Sequence, residues 1–167
     1  MRILLIGGAL GAVVLALAAC GGSSTSSASE QAVQRQADLY AIDRIEKVFH
    51  KATSRHDIDL MMSLWAPNAT FTVGPGQTAA GKQEIRKFWL EKSVAFQPSN
   101  HWVSDTAAYK IRITVNGDRG TLYFECHYID VKTHELGPIT AADLDVARIN
   151  GRWLITNMVG ASATLSP

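Results

Sequence analysis

The stretch His56-Asp57-Ile58-Asp59-Leu60-Met61-Met62-Ser63-Leu64-Trp65-Ala66-Pro67-Asn68-Ala69-Thr70-Phe71 holds a short helix and the strand that follows it. Asp57 can accept hydrogen bonds from the free amides of the next turn, so it caps the helix. Leu60, Met61, Leu64 and Trp65 give that helix an apolar face. Ala66-Pro67-Asn68 ends it, because proline lacks an amide donor and its ring clashes with the preceding turn. Ala69 to Val73 then reads as a strand, closed by the turn residues Gly74-Pro75-Gly76.

Upstream, Ala37, Ala41, Ile45, Val48, Phe49 and Ala52 fall on one face of a first helix. Asp43, Arg44, Glu46, Lys47 and Lys51 mostly cover its other faces, with Asp43 and Lys47 spaced for an ion pair. Downstream, Gly81 leads into a third helix with Ile85, Phe88, Trp89 and Phe96 inward. After Pro98 the pattern turns to strands. Trp102 to Val115 reads as one long strand, bulged near Asp105–Ala107, and Asn116-Gly117-Asp118 is a hairpin turn. Thr121–Val131 and Ile139–Ile149 follow, then the hairpin signal Asn150-Gly151 and a last strand, Arg152–Val159. The expected class is α+β, three N-terminal helices laid on one face of a curved antiparallel sheet.

The first 19 residues read as an export signal. Arg2 is a minimal positive start, and the apolar stretch Ile3–Leu17 is shorter than the roughly 20 residues a spanning helix needs. It ends in Leu17-Ala18-Ala19-Cys20, which looks like a bacterial lipobox, with Cys20 the expected lipidation site. Residues 20–30 then form a lipidated, flexible Gly/Ser/Thr/Ala tether, and 31–162 the folded domain. The expected location is the exported side of a bacterial cell membrane or outer membrane, the absence of Asp at Gly21 and Gly22 favouring the outer one. Among 167 residues, 16 Lys+Arg face 15 Asp+Glu, so the charge gives no reason to expect a nucleic-acid partner.

The order of elements and several local strings resemble the nuclear transport factor 2-like superfamily, in particular its SnoaL-like branch, from Ala37 to Val159. The strings are residues 56–61 and 64–71, Gly81-Lys82-Gln83-Glu84-Ile85-Arg86-Lys87-Phe88, Asn116-Gly117-Asp118 and Ile149-Asn150-Gly151-Arg152-Trp153. The resemblance implies a cone-shaped sheet with an apolar pocket at its wide end, and it leaves the reaction unnamed.

His101 aligns with a pocket histidine of scytalone dehydratase, and an imidazole suits proton transfer near neutral pH. Asp145 falls where ketosteroid isomerase keeps a protonated aspartic acid in its oxyanion hole, and Asp143 shares its face. Other equipment of those enzymes is missing. Val73 and Phe49 stand at the isomerase's base and tyrosine positions, and Thr53 and Ser54 at the dehydratase's tyrosine and aspartate. Tyr123, Glu125 and His127 alternate with Leu122, Phe124, Cys126 and Tyr128. Aligning the preceding turn with relatives puts the polar set toward the pocket and leaves the apolar set for a homodimer face; hydrophobicity alone argues the reverse. Asp38 lies on the apolar meridian of the first helix, near an expected pocket mouth.

The expected ligand-lining residues are Asp38, Trp65, Phe88, Tyr123 and His127. Cys126 reads as a small buried hydrophobe, and His50 and His56 as exposed helix-end residues. No cofactor or metal is implied, since the histidines at 50, 56, 101, 127 and 134 lack zinc-site spacing. Gly76–Gln83 fails as a phosphate loop because Gln83 stands where a hydroxyl must hold the metal. The expectation is a membrane-anchored domain that binds a small, mostly apolar ligand. The alternatives are a dehydratase or isomerase using His101 and Asp145, and an envelope scaffold that binds partners through its sheet face.

Overall fold

The computed structural model describes residues 23–74, 76–104 and 109–162. The segment read as an export signal, and Cys20, lie outside them. In chain order the elements are α1 (Ser23–Arg55), α2 (Ile58–Met62), β1 (Trp65–Val73), β2 (Thr78–Ala80) and α3 (Lys82–Glu91). A 3₁₀ turn at Val94–Phe96 leads to β3 (Trp102–Val103), β4 (Tyr109–Asn116), β5 (Arg119–Asp130), β6 (Leu136–Ile149) and β7 (Arg152–Ser162).

One curved sheet runs β2-β1-β7-β6-β5, with β3 and β4 both paired along the outer edge of β5. The helices cover one face. The sheet is mixed rather than wholly antiparallel, because β1 runs parallel to β7. No hairpin joins those two strands, so no turn dictates their relative direction. The strand expected over 102–115 is two, β3 and β4, and the expected bulge at 105–107 lies outside the described residues. The anticipated hairpins form: Asn116 pairs with Arg119, and Ile149 with Arg152. Asn150 and Gly151 both take positive φ, 50° and 76°, as a two-residue turn of this hand requires.

Asp57 caps α2 by accepting from the Leu60 amide at 2.9 Å. Lys47 pairs with Asp43 along α1. That helix is longer than its periodicity suggests and includes Ser23–Glu30, the segment read as tether; residues 27–37 are exposed. Burial on α1 starts at Asp38 and follows the stripe Ile42, Ile45, Glu46, Phe49, His50, Ala52 and Thr53. The stripe lies on the even-numbered residues of β5, where Gly120 permits the closest approach. A Cβ on Gly120 would stand 2.4 Å from the Thr114 carbonyl and 3.2 Å from the Ile42 methyl.

The face of β5 that meets the helices is therefore apolar: Leu122, Phe124, Cys126 and Tyr128 are buried beneath α1. Tyr123 and His127, expected in the pocket, point to the opposite face, and the alignment that put them inside is corrected. The energetic reason is simple. Placing Leu122, Phe124, Cys126 and Tyr128 under α1 removes more apolar surface from water than placing Tyr123, Glu125 and His127 there would.

A bulge at Thr156 then resets the alternation on β7. Asp145 pairs with Asn157 while Val146 pairs with Ile155, so Ile155 and Met158 both face the helices.

Candidate ligand cavity

Aromatic rings gather where α1 and α3 cross the sheet. Trp89 stacks on Phe71 with centroids 5.4 Å apart and meets Phe49 edge-on at 5.6 Å. Phe49 in turn meets Phe124 at 5.4 Å. Each such pair is worth about 1 kcal/mol beyond its burial. The rings arch over a cavity of about 250 Å³. Phe49 of α1, Phe71 of β1 and Phe88 and Trp89 of α3 supply its apolar wall. Cys126 and Tyr128 of β5, Thr140 of β6 and Met158 of β7 form its floor.

The floor leads into a buried polar chain. Cys126 Sγ lies 2.7 Å from His50 Nε2, and His50 Nδ1 lies 2.9 Å from Glu46 Oε2. A carboxylate can only accept, so Nδ1–H donates to Glu46 and Nε2 is left to accept from the thiol. Burial pushes the Cys126 thiol up to about 12, against the hydroxyls of Thr140 and Tyr128, which favour the thiolate. The thiol therefore keeps its proton at neutral pH. Burial also raises Tyr128, so its phenol stays a donor. Glu46 is 1% exposed, and its second oxygen has no hydrogen-bond partner among the described residues. Such an atom carries the full cost of its lost hydration.

Sequence reasoning put Glu46 on a solvated face and His50 at an exposed helix end, yet both are buried; His56 is exposed. The signal was available. Ile42, Glu46 and His50 are spaced by fours, so the two polar residues continue the line of a residue already apolar.

The other candidates lie elsewhere. Phe88 is among the residues that line the cavity. Trp65 is fully buried in the core against Phe71, outside the lining. Asp38 is buried at another level of α1, where it accepts from Arg148 at 2.6 Å, Gln34 at 3.0 Å and the Trp153 indole at 3.1 Å. Burial alone would raise its pKa, but these donors outweigh burial and lower it.

His101 does not line the cavity. Its Nδ1 bonds the Ser99 carbonyl, and its backbone carbonyl accepts from Val131 across the sheet edge. Asp145 is exposed, alternates with buried Leu144 and Val146, and bonds Asn157 at 3.2 Å. Asp143 is exposed on the same face as Asp145. The placement of His101 and Asp145 together in one pocket is thus corrected: β6 turns its acids away from the helices because its alternate residues fill the core. Tyr123 and His127 surround Glu125 on that outer face. The Tyr123 hydroxyl donates to Glu125 at 2.9 Å, which with Lys110 and His127 holds that carboxyl below its ordinary pKa despite its burial.

Comparison with solved structures finds the same fold at low identity. A nuclear transport factor 2-like protein with a cystatin-like fold from Novosphingobium aromaticivorans superposes with a TM-score of 0.70 at 15% identity, over 87% of this chain and 94% of that one. A nuclear transport factor 2-like protein of unknown function from Pseudomonas putida gives 0.66 at 12%, over 77% and 88%. A hexachlorocyclohexane dehydrochlorinase from Novosphingobium barchaimii gives 0.64 at 15%, over 81% and 92%. Comparison with curated proteins gave no match. The family model described as a SnoaL-like domain matches residues 45–155, which include every strand but the distal part of β7, and the chain belongs to that family.

Proposed function

We propose that this chain is a membrane-tethered SnoaL-like domain that holds a small, mostly apolar molecule in the cavity beneath α1 and α3. The observation that carries the reading is the cavity itself: about 250 Å³, walled by four aromatic side chains and floored by Met158, Thr140, Tyr128 and Cys126. An apolar cavity of about 150 Å³ already accepts a molecule the size of benzene, whereas drug-sized ligands need about 300 Å³ or more. One or two fused rings, or a short branched chain, match the space. The few hydroxyls on the floor supply orientation.

The tether rests on Leu17-Ala18-Ala19-Cys20 and the short apolar stretch before it. Acylation of Cys20 would keep the cavity within reach of molecules partitioning into a bilayer, since more than one acyl chain anchors far more firmly than one. Mass analysis of the chain from bacterial membranes should show an acylated N-terminal Cys20, and Cys20→Ser should release the chain from the membrane. An unmodified, soluble wild-type chain would end this part of the reading.

Naphthalene is a suitable probe of the cavity. Saturable quenching of tryptophan fluorescence through Trp89 is expected. Ala142→Phe, which fills the cavity from β6, should abolish it while leaving the fold intact by circular dichroism. Quenching that persists unchanged in Ala142→Phe would place the probe elsewhere and refute the site.

A further inference from the structure

We propose that Cys126, His50 and Glu46 make the cavity floor a thiol-addition site for small apolar α,β-unsaturated carbonyl compounds. The inference rests on the ligand reading above and names the chemical class of the ligand.

Three observations converge. Cys126 is the point at which the buried polar chain reaches the cavity wall. A protonated thiol is a soft, weak nucleophile, and it becomes a good one when a base takes its proton during attack. His50 Nε2 is that base, in contact with the sulfur at 2.7 Å and oriented by Glu46 through Nδ1 at 2.9 Å. A carboxylate, an imidazole and a nucleophile in line is the general arrangement for such activation, recognised by geometry rather than by sequence order. Finally, the surroundings select the electrophile. The aromatic wall and Met158 suit an apolar body, the Lys92 ammonium belongs to the same lining, and the Tyr128 and Thr140 side chains of the floor carry hydroxyls that can donate to a carbonyl oxygen.

The chemistry balances without a co-reactant. The thiol proton passes to His50 Nε2 as the sulfur pair forms a bond to the β-carbon. The alkene π pair moves to give an enolate, whose oxygen takes hydrogen bonds from the floor hydroxyls. The imidazolium returns the proton to the α-carbon. The sum is addition of S–H across the C=C bond; nothing is oxidised and no group leaves. His50 is the catalytic base, and Glu46 is a positioning residue that holds the correct tautomer and steadies the imidazolium.

The test uses the full chain and 2-cyclohexenone, with the adduct on the Cys126 peptide followed by mass spectrometry. Folded wild type is expected to react faster than the same chain unfolded in urea at the same pH, despite its burial, and naphthalene should protect it. His50→Gln is expected to slow the reaction by about 100-fold. Glu46→Gln should slow it by a smaller factor, since its side chain acts only through His50, and both variants should keep the circular dichroism of the wild type. That split separates a chemical role from a structural one.

If naphthalene binds but Cys126 reacts more slowly folded than unfolded, or equally fast in His50→Gln, the thiol-addition proposal is overturned and the ligand reading stands. Should His50→Gln fail to fold, the folded-against-unfolded comparison on wild type decides alone. If naphthalene does not bind at all, the ligand reading has failed and this proposal falls with it.

Discussion

Two carboxylates on α1 are buried to nearly the same degree, Asp38 at 5% exposure and Glu46 at 1%, and their surroundings could hardly differ more. Asp38 receives hydrogen bonds from Gln34, Arg148 and Trp153, and Arg148 also reaches Asp118 at 2.9 Å on the surface. Among the described residues Glu46 bonds only His50, and its second oxygen finds no hydrogen-bond partner. The first arrangement is what stability asks of a buried charge: paired, hydrogen-bonded and tied to two strands. The second costs stability and is tolerated where the residue serves a site. Burial alone therefore does not separate these two acids; the count of satisfied oxygens does.

The comparison breaks first at Asp38. Asp38→Ala strands the buried Trp153 N–H and takes from Arg148 its closest carboxylate, so a loss of about 3 kcal/mol is expected in urea unfolding. Naphthalene affinity should be unchanged, since the cavity lies at a different level of α1. A loss of binding without a loss of stability would reverse the assignment.

Acidification sharpens the same point. The folded pKa of Asp38 lies below its unfolded value, so its contribution is complete above about pH 4 and drains as pH falls through the folded value. Glu125 and Asp130 are depressed as well and act with the same sign. The urea midpoint should fall below pH 4, and Asp38→Asn should flatten part of that fall. An unaltered acid limb in the variant would contradict the role given to the Arg148 pair.

Glu46→Gln should behave oppositely. It removes a buried charge while the amide oxygen can still accept from His50, so stability should stay within about 1 kcal/mol of wild type. A loss as large as that of Asp38→Ala would make Glu46 another structural acid.

The smallest effect is expected on the outer face of β5. Tyr123→Phe leaves Glu125 with Lys110 at 3.4 Å and His127 at 3.6 Å, so a change under about 1 kcal/mol and an unaltered cavity are expected. A marked loss of naphthalene binding would mean that the polar face of β5 carries the ligand after all.

Local signals account for most of the fold. The Asp57 cap, the hairpins at Gly117 and Gly151 and the apolar stripe from Ile45 to Ala52 are each legible from a few neighbouring residues. Properties that depend on distant partners are not. β2 is three residues long and exists because Thr70, Phe71 and Thr72 offer it a free edge. The break between β3 and β4 and the parallel β1–β7 pairing likewise depend on neighbours far along the chain.

For the site, Phe88 was legible because it stands on an inward helical face. Cys126 was legible as buried, but not as reactive, because the imidazole that touches it lies 76 positions away in sequence. His101 and Asp145 show the opposite limit. Alignment to relatives carries a residue's number along a strand but not its face, and a single bulge or a competing apolar set sends it outward.

The most direct test of the cavity follows its methionine. With 13C-methyl methionine in the full chain, naphthalene titration should shift the Met158 methyl saturably by ring current, while Met61 and Met62, packed around α2, stay in place. A stationary Met158 signal, with shifts confined to Met61, Met62 or the outer face of the sheet, would contradict the account.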